Sequence, residues 1–261
     1  MKSSKNKIRR YRNLVKHVAN WPAYLLFKII DGQKYFNFQL RDSFAVEVDR
    51  KILPSFKESF FDNIYLQALP ADMLQKSYPL IVDIGANAGF FSLNMFYHFP
   101  NAKVYAYEPV PFNFEILKKY QRTFPDFDFH IFQEAVGGED TRLKLSLSTL
   151  EGYTTMASVF ENDSRGYQIE VPAHRLETVF RTQQLTHVDL LKLDCEGAEY
   201  QILYQSSDAV LDQISCMSIE THQGSKPEEN LPALRSFLGQ KGFITVALEE
   251  GKYGYLWAWK N

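Results

Sequence analysis

Three short segments carry the side chains best suited to chemistry, and each begins with an apolar run. The first, at 81–91, reads Ile-Val-Asp-Ile-Gly-Ala-Asn-Ala-Gly-Phe-Phe. The second ends in Tyr-Ala-Tyr-Glu-Pro around Glu108, and the third, at 188–199, reads Val-Asp-Leu-Leu-Lys-Leu-Asp-Cys-Glu-Gly-Ala-Glu. Parallel sheets bind nucleotides where an apolar strand turns at glycine into a helix, so the sequence predicts a ligand site at these strand ends.

The first segment has the features of a cofactor loop. Gly85 and Gly89 allow the backbone to approach a ligand closely, and the helix that follows offers unpaired N–H groups to an anionic end such as a carboxylate. A nicotinamide-binding loop needs Gly-x-Gly-x-x-Gly, but Asn87 and Phe90 stand in the places of its second and third glycines. The spacing therefore disfavours a diphosphate ligand and a nicotinamide dehydrogenase.

Carboxylates end the other two segments. Glu108 follows Asp83 by 25 residues, at the tip of the next strand, where a carboxylate can accept hydrogen bonds from two ribose hydroxyls. Asp194 and Glu196 close the third apolar run, and Gly197 permits a sharp turn into a helix. Both acids would face the same cleft, although carboxylates are also favoured as caps at helix N-termini.

The elements that position these residues alternate between strand and helix from residue 80 onward. Strands are predicted at 80–84, 102–107, 127–132, 188–193 and 214–221, and helices at 88–99, 111–123, 175–185, 198–205 and 231–240. The tail, 243–248 and 255–259, is typical of an antiparallel hairpin. This alternation predicts an α/β fold with a mainly parallel sheet and helices on both faces.

Residues 1–76 are expected to form an N-terminal extension or cap, and residues 77–261 the main domain. The first sixteen residues hold seven Lys or Arg and no acid, and an apolar helix is predicted at 18–30. Residues 34–48 alternate like a short hairpin or an edge strand, and 54–76 look helical. We expect a solvated basic arm; the alternative is an arm attracted to an anionic membrane surface or a polyanionic substrate.

The composition is that of an ordinary globular protein. Apolar residues make up 45% and charged residues 23%, and a net charge of −2 gives no field that favours nucleic acid. Cys195 and Cys216 form neither a disulfide framework nor a metal pattern, and no secretory signal or membrane-spanning run is visible. We therefore expect a cytoplasmic protein, with its oligomeric state open.

Taken together and in this order, the three segments resemble the FkbM family of methyltransferases. The resemblance covers residues 80–222 and rests on Asp-Ile-Gly-Ala-Asn-Ala-Gly at 83–89, Glu-Pro at 108–109 and Lys-Leu-Asp-Cys-Glu-Gly-Ala-Glu at 192–199. It implies a Rossmann-like sheet of seven strands that ends in an antiparallel hairpin. It also implies S-adenosyl-L-methionine as cofactor and O-methylation of a hydroxyl on a sugar, polysaccharide or natural product.

The resemblance gives roles to particular residues. The expected cofactor-binding residues are Asp83, Gly85, Ala86, Asn87, Gly89, Phe90, Glu108, Pro109, Glu134, Ala135 and Asp194, with Glu134 and Ala135 in the segment near the adenine. His222 is the first candidate for the base that removes the hydroxyl proton, because its ordinary pKa is near neutral and it follows a strand end. Glu196 is the second candidate. Asp194 is expected to orient the methionine ammonium of the cofactor or the acceptor.

Two alternatives stay open at this point. Asp194, Glu196 and Glu220 could gather a hard cation such as Mg²⁺, which oxygen ligands suit, although we expect no metal. A chain that kept the loop without the chemistry would be a non-catalytic module that binds adenosylmethionine or another nucleotide. Saturable cofactor binding without methyl transfer to any acceptor would identify such a module.

Overall fold

The computed structural model describes residues 2–30, 32–71, 76–147, 157–158, 167–250 and 253–260. The chain divides into two compact units. The first runs to Gln67 and includes Phe90–Pro100, and the second consists of Ala68–Gly89 and the chain from Asn101 onward. The boundary at residue 76 expected from the sequence stays a prediction.

The first unit consists of helices, a hairpin and short helical turns around aromatic side chains. Its elements are α1 (Lys2–His17), α2 (Trp21–Ile29), β1 (Tyr35–Gln39), β2 (Ala45–Asp49), α3 (Leu53–Lys57), a π-helical turn (Glu58–Asp62), a 3₁₀ turn (Ile64–Leu66) and α4 (Phe90–His98). Strands β1 and β2 pair antiparallel, as the alternation at 34–48 predicts. Phe56 stacks on Phe38 at a centroid distance of 4.2 Å and on Phe60 at 4.6 Å, so aromatic burial forms this core.

Residues 2–17 form a helix, which corrects the expectation of a solvated basic arm. Leu14 and His17 are buried, and Arg10 Nε lies 2.8 Å from Asp62 Oδ1. Lys and Arg are good helix formers, and a helix needs only a few apolar residues on one face to pack. The high charge of this segment concealed that face. No helix in the described part of the chain is both long and apolar enough to cross a membrane.

The continuous helix suggested for 54–76 is also corrected. The chain is helical only in the short pieces up to Leu66, and residues 72–75 lie outside the described residues. Asn63 adopts a left-handed conformation with φ of 48°, which ends the π-helical turn and redirects the backbone. Apolar spacing alone could not indicate this break.

A seven-stranded sheet organises the second unit. Its strands are β3 (Leu80–Ile84), β4 (Lys103–Tyr107), β5 (Asp128–Phe132), β10 (Val188–Leu193), β11 (Ile214–His222), β12 (Ile244–Glu250) and β13 (Tyr253–Trp259), in the spatial order β12, β13, β11, β10, β3, β4, β5. Strands β11, β10, β3, β4 and β5 are parallel, whereas β13 is antiparallel to both β11 and β12. The predicted Rossmann-like sheet with its terminal antiparallel hairpin is thereby confirmed.

Five helices lie in the described residues of this unit. They are α5 (Pro111–Thr123), α6 (Leu176–Thr182), α7 (Glu199–Tyr204), α8 (Asp208–Leu211) and α9 (Leu231–Gln240). Every residue of β10 is buried, as a central strand covered on both faces requires. The predicted ends of the parallel strands and of α5 and α9 agree with the observed ones within a residue or two. Cys195 and Cys216 both carry free thiols.

A second, four-stranded sheet was not predicted from the sequence. Its strands are β6 (Ala135–Val136), β7 (Thr141–Leu147), β8 (Ala157–Ser158) and β9 (Tyr167–His174), in the order β6, β9, β7, β8. Ala135, Leu145, Val171 and Ala173 form its small apolar cluster. Strand β7 alternates apolar residues with charged or polar ones along only seven positions, which is a weak signal for a strand.

Gly85 is predicted to be far less tolerant of a side chain than a glycine of similar conformation elsewhere. A Cβ at Gly85 (φ +73°) would overlap the backbone carbonyl of Asp194, whereas a Cβ at Gly242 (φ +84°) would meet nothing within 4 Å. Gly242→Ala should therefore cost about 1 kcal/mol for the left-handed backbone alone. Gly85→Ala should cost at least about 3 kcal/mol, because the two strand ends must also separate. Urea denaturation measures both losses, and equal losses would show that the turn yields freely.

Candidate active site

The register of the sheet brings the predicted site residues to one edge. Ile84 lies beside Leu193 on one side and beside Tyr107 on the other, so the residues that follow these three leave the sheet at the same level. The amide of Asp194 donates to the carbonyl of Ile84 at 3.1 Å. Two successive amides, of Gly85 and Ala86, both donate to the carbonyl of Tyr107 at 3.0 Å, which fixes the start of the loop.

The rest of the loop is held by its own backbone and by one carboxylate. Asn87 is left-handed with φ of 53°, and its amide donates to Glu108 Oε2 at 2.7 Å. Gly89 is also left-handed, and its amide donates to the carbonyl of Ala86 at 2.8 Å. Asn87 Oδ1 is shielded from solvent and has no hydrogen-bond partner among the described residues. The loop is thus rigid, with an acceptor atom still to be satisfied.

Glu108 is buried and closes the loop onto the end of β4. Besides the Asn87 amide, its carboxylate accepts from the amide of Val110 at 2.9 Å. Burial raises the pKa of Glu108 to about 7, against the opposite effect of these two backbone donors. Each carboxylate oxygen has two lone pairs, so Glu108 can hold the loop and still accept a hydroxyl from a ligand.

Lys192 is a site residue that the sequence analysis did not select. It is buried in β10, and its Nζ donates to the carbonyl of Gly85 at 2.7 Å and lies 3.2 Å from Asp83 Oδ1 and 3.6 Å from Asp194 Oδ2. Burial by itself would lower the pKa of Lys192, but the two carboxylates outweigh it and raise that pKa above its ordinary value. A lysine inside an otherwise apolar strand was the available signal, since buried charges are nearly always paired.

Glu199 is the second functional residue that the sequence analysis missed. It is fully buried at the start of α7, where its Oε2 accepts from the amide of Gly197 at 2.8 Å. Its Oε1 accepts from the amide of His222 at 2.7 Å and lies 3.2 Å from His222 Nδ1. The other ring nitrogen, Nε2, is 3.5 Å from Glu196 Oε2. The structure therefore brings both predicted base candidates together and adds a carboxylate that orients the imidazole.

These carboxylates change the acidity of the imidazole. Burial would lower the pKa of His222, but the hydrogen bond to Glu199 and the charges of Glu196 and Asp194 raise it to about 9. The free site thus holds a protonated imidazole at neutral pH, whereas the sequence suggested a histidine near its ordinary pKa. Burial also raises the pKa of Glu196, so both candidates bind a proton more tightly than usual.

A possible cation site overlaps this cluster. Asp194, Glu220 and His222 each offer one ligand atom, and these atoms lie within 4.8 Å of one another. The set considered from the sequence contained Glu196 where this group has His222. In the structure, Glu196 Oε2 lies against His222 Nε2. Only a neutral imidazole can bind a metal, and the raised pKa of His222 opposes that state.

Four predicted cofactor-binding residues remain to be placed, namely Phe90, Pro109, Glu134 and Ala135. Pro109 follows Glu108 directly. Ala135 is buried and pairs with Ala173 in the second sheet, and Glu134 Oε2 lies 3.7 Å from His174 Nε2. The ring of Phe90 packs edge-to-face on Phe56 in the first unit, at a centroid distance of 5.4 Å. Roles for these residues near a cofactor stay predictions.

A small cavity of about 170 Å³ opens beside His222. Tyr200, Thr221, Asn230 and Tyr253 are among the residues that line it. The ring of Tyr253 meets the imidazole edge-to-face at 5.4 Å, and the Tyr200 hydroxyl donates to the carbonyl of His222 at 2.6 Å. The cavity is smaller than a typical pocket for a whole ligand and has room for one part of a molecule.

Comparison with known proteins gives the family of the chain. Residues 83–245 match the model of the methyltransferase FkbM domain. Methyltransferase 1 of Beauveria bassiana is 29% identical over 233 residues, which cover 81% of this chain and 90% of the relative. The 31-O-demethyl-FK506 methyltransferase FkbM of Streptomyces tacrolimicus is 24% identical over 225 residues, covering 75% of this chain and 83% of the relative.

A solved structure agrees at the level of the fold. The crystal structure of methyltransferase FkbM from Methylobacillus flagellatus has a TM-score of 0.54 to this chain at 12% identity. The match covers 80% of this chain and 54% of that longer chain. Because the FkbM domain match spans more than half of its residues, this chain belongs to the FkbM family of methyltransferases.

Proposed function

We propose that this methyltransferase transfers a methyl group from S-adenosyl-L-methionine to a hydroxyl oxygen of a small molecule or sugar. The observation that carries the proposal is one sheet edge where a cofactor-type loop closed by Glu108 lies beside an imidazole held by Glu199. The loop suits a nucleoside, and the imidazole suits removal of a hydroxyl proton.

The residues of the loop fit such a cofactor. Glu108 has acceptor capacity left for ribose hydroxyls, and the unsatisfied Oδ1 of Asn87 offers a further polar contact. Asp194 lies next to the loop with its carboxylate partly exposed, where it could accept from an ammonium group. When bound, S-adenosylmethionine supplies a methyl group on a positively charged sulfur.

The imidazole can remove the proton of the attacking hydroxyl once it is neutral. Glu199 accepts from Nδ1, so the neutral ring would keep its proton there and present the Nε2 lone pair. Bonding of the oxygen to the methyl carbon would break the carbon–sulfur bond and leave a neutral thioether, while the hydroxyl proton moves to Nε2. Glu196 beside Nε2 can stabilise the imidazolium that forms. Holding acceptor and donor together supplies much of the acceleration.

Two observations support a hydroxyl acceptor. The relative from Streptomyces tacrolimicus is named for 31-O-demethyl-FK506, a substrate that lacks an O-methyl group. The cavity beside His222 is lined by hydroxyl, amide and aromatic side chains together with Leu231 and the carboxylate of Glu249, and its polar groups suit a hydroxyl-bearing part of an acceptor.

Glu108→Ala is predicted to weaken binding of S-adenosylmethionine at least about tenfold, because charge-assisted hydrogen bonds to the ribose are lost. Isothermal titration calorimetry measures the affinity, and circular dichroism verifies the fold. Glu115→Ala is the matched control, since Glu115 is an exposed carboxylate on α5 paired only with Lys118 among the contacts found for it. Unchanged affinity in Glu108→Ala would remove this residue from the cofactor site.

The pH dependence of kcat/KM should identify the base. A base must be deprotonated, so if His222 acts, kcat/KM rises with pH and levels off above about 9, the pKa of this group in the free protein. Glu199→Gln removes the carboxylate that raises this pKa, so the inflection should move to lower pH. His222→Gln should abolish the inflection and lower kcat by about 100-fold or more.

The same pH profiles distinguish His222 from Glu196, the second candidate for the base. If Glu196 is the base, Glu196→Gln abolishes the inflection and Glu199→Gln changes it little. A profile that is flat between neutral pH and pH 10 in the unaltered protein would exclude His222 as the titrating base. Cofactor binding with no transfer to a broad panel of hydroxylated acceptors would favour a non-catalytic binding module.

Methyl transfer is predicted to be independent of metal. Displacement at the methyl carbon needs a base for the hydroxyl but no Lewis acid, and the protonated His222 disfavours metal binding. Activity on the acceptor should survive exhaustive treatment with EDTA. A loss that added Mg²⁺ restores would instead identify Asp194, Glu220 and His222 as ligands.

A further inference from the structure

One face of α1 leaves apolar side chains in solvent. Ile8, Tyr11 and Val15 are between 43% and 67% exposed. Their spacing of three and four residues puts them on the same side of the helix, and the buried His17 lies on the opposite side. A helix that packs on one side and is apolar on the other has a second surface to cover.

Cations flank this apolar stripe. Lys7 lies along one edge of it, and Arg12 and Lys16 lie along the other, all three exposed. Within the first sixteen residues there are seven Lys or Arg and no acid. The whole chain nevertheless has a net charge of −2, so the remainder is acidic and the positive charge is concentrated at this helix.

Helix α2 also exposes apolar side chains. Leu26 and Ile29 share one side of it, Ile30 follows its end, and the three residues are between 49% and 79% exposed. The Nζ of Lys28 lies 5.8 Å from the centre of the Tyr11 ring, so α2 adjoins the exposed side of α1. We call the exposed side chains of 7–16 and 26–30 the N-terminal face.

We propose that the N-terminal face binds the surface of an anionic lipid bilayer. Apolar side chains would enter the boundary between headgroups and acyl chains, while the flanking cations contact negatively charged headgroups. The proposal concerns this face alone and does not depend on the acceptor or on the chemistry of methyl transfer.

Other occupants match only half of the face. A nucleic acid would use the cations and leave the apolar stripe exposed to water. A second copy of the chain could cover the stripe, but a symmetric contact would bring like charges together. A bilayer with anionic headgroups accommodates both features at once, because its polar and apolar layers lie side by side.

Sedimentation with lipid vesicles tests the proposal. The full chain should sediment with vesicles of phosphatidylcholine mixed with phosphatidylserine, but not with phosphatidylcholine alone, and added salt should release it. The variant Ile8→Asp/Leu26→Asp/Ile29→Asp changes only exposed residues, so its fold should persist. It should lower the partition coefficient at least about tenfold.

Two more variants test the contribution of the cations and the importance of where the apolar residues lie. Lys7→Gln/Arg12→Gln/Lys16→Gln should also weaken binding at least about tenfold, since each cation near an anionic surface contributes measurably. The matched control is Tyr78→Asp/Tyr167→Asp/Ile244→Asp, which alters three exposed apolar residues of the second unit. This control should bind as the unaltered chain does, and circular dichroism verifies the fold of each variant.

Trp21 supplies a spectroscopic signature of the same event. It begins α2 and is partly exposed, so its emission should shift to shorter wavelength when the indole enters the bilayer interface. Trp257 is buried and Trp259 is partly exposed; both belong to β13, and the variant without Trp21 measures their background. Trp21→Phe should lose the shift while still sedimenting with the vesicles.

The proposal is overturned if the unaltered chain does not sediment with phosphatidylserine vesicles, or if the apolar variant binds as well as the unaltered chain. Analytical ultracentrifugation that shows a dimer abolished by the apolar variant, with no vesicle binding, would make the face an interface between copies. Fluorescence anisotropy of a labelled oligonucleotide identifies the remaining case, in which the cations bind nucleic acid and vesicles do not compete. None of these measurements involves the acceptor, so a result that overturns membrane binding has no bearing on the proposed methyl transfer.

Discussion

The buried ammonium of Lys192 is the contact on which the geometry of the site depends. It joins Asp83 at the end of β3, the carbonyl of Gly85 in the loop and Asp194 at the end of β10. Removing one partner from a buried ionic group leaves the other charges uncompensated, at a cost of about 3 to 5 kcal/mol. These contacts hold Gly85 so close to the backbone of Asp194 that there is no space for a Cβ at Gly85. The loop is therefore held in shape without a ligand.

The second constraint is the surplus of negative charge that Lys192 does not neutralise. Asp194, Glu196, Glu199 and Glu220 lie at or near the ends of β10 and β11, and His222 is the cation among them. Such a site repels a diphosphate and attracts a positively charged ligand, which agrees with a sulfonium cofactor. A cation held nearby would also lower the pKa of His222, because it disfavours the protonated ring. Binding of a cationic methyl donor would thus bring the imidazole closer to the state a base needs.

The parts predicted from sequence are those in which local pattern and burial agree. Strands β3 and β10 are mainly apolar and are bounded by turn residues, and Pro111 marks the start of α5, so their ends could be predicted closely. The high charge of 2–16 predicts a solvated arm, because charged residues outnumber the few apolar ones that pack one face of α1. The contact of Glu199 with His222 joins residues far apart in the chain, and only the pairing of strands and helices decides it. Buried Lys192 could have been found, because a lysine in an apolar strand requires a carboxylate partner.

Backbone conformation at the site indicates where side chains are needed. Asn87 and Glu196 both have φ of 53°, a region in which asparagine is tolerated but glutamate is uncommon. Glycine at position 196 would relieve about 1 kcal/mol of this conformational cost. Gly197, the next residue, already has φ of 105°, so the turn itself does not require a side chain at 196. The side chain there ends 3.5 Å from His222 Nε2, which suggests that local stability is given up to hold a carboxylate against the imidazole.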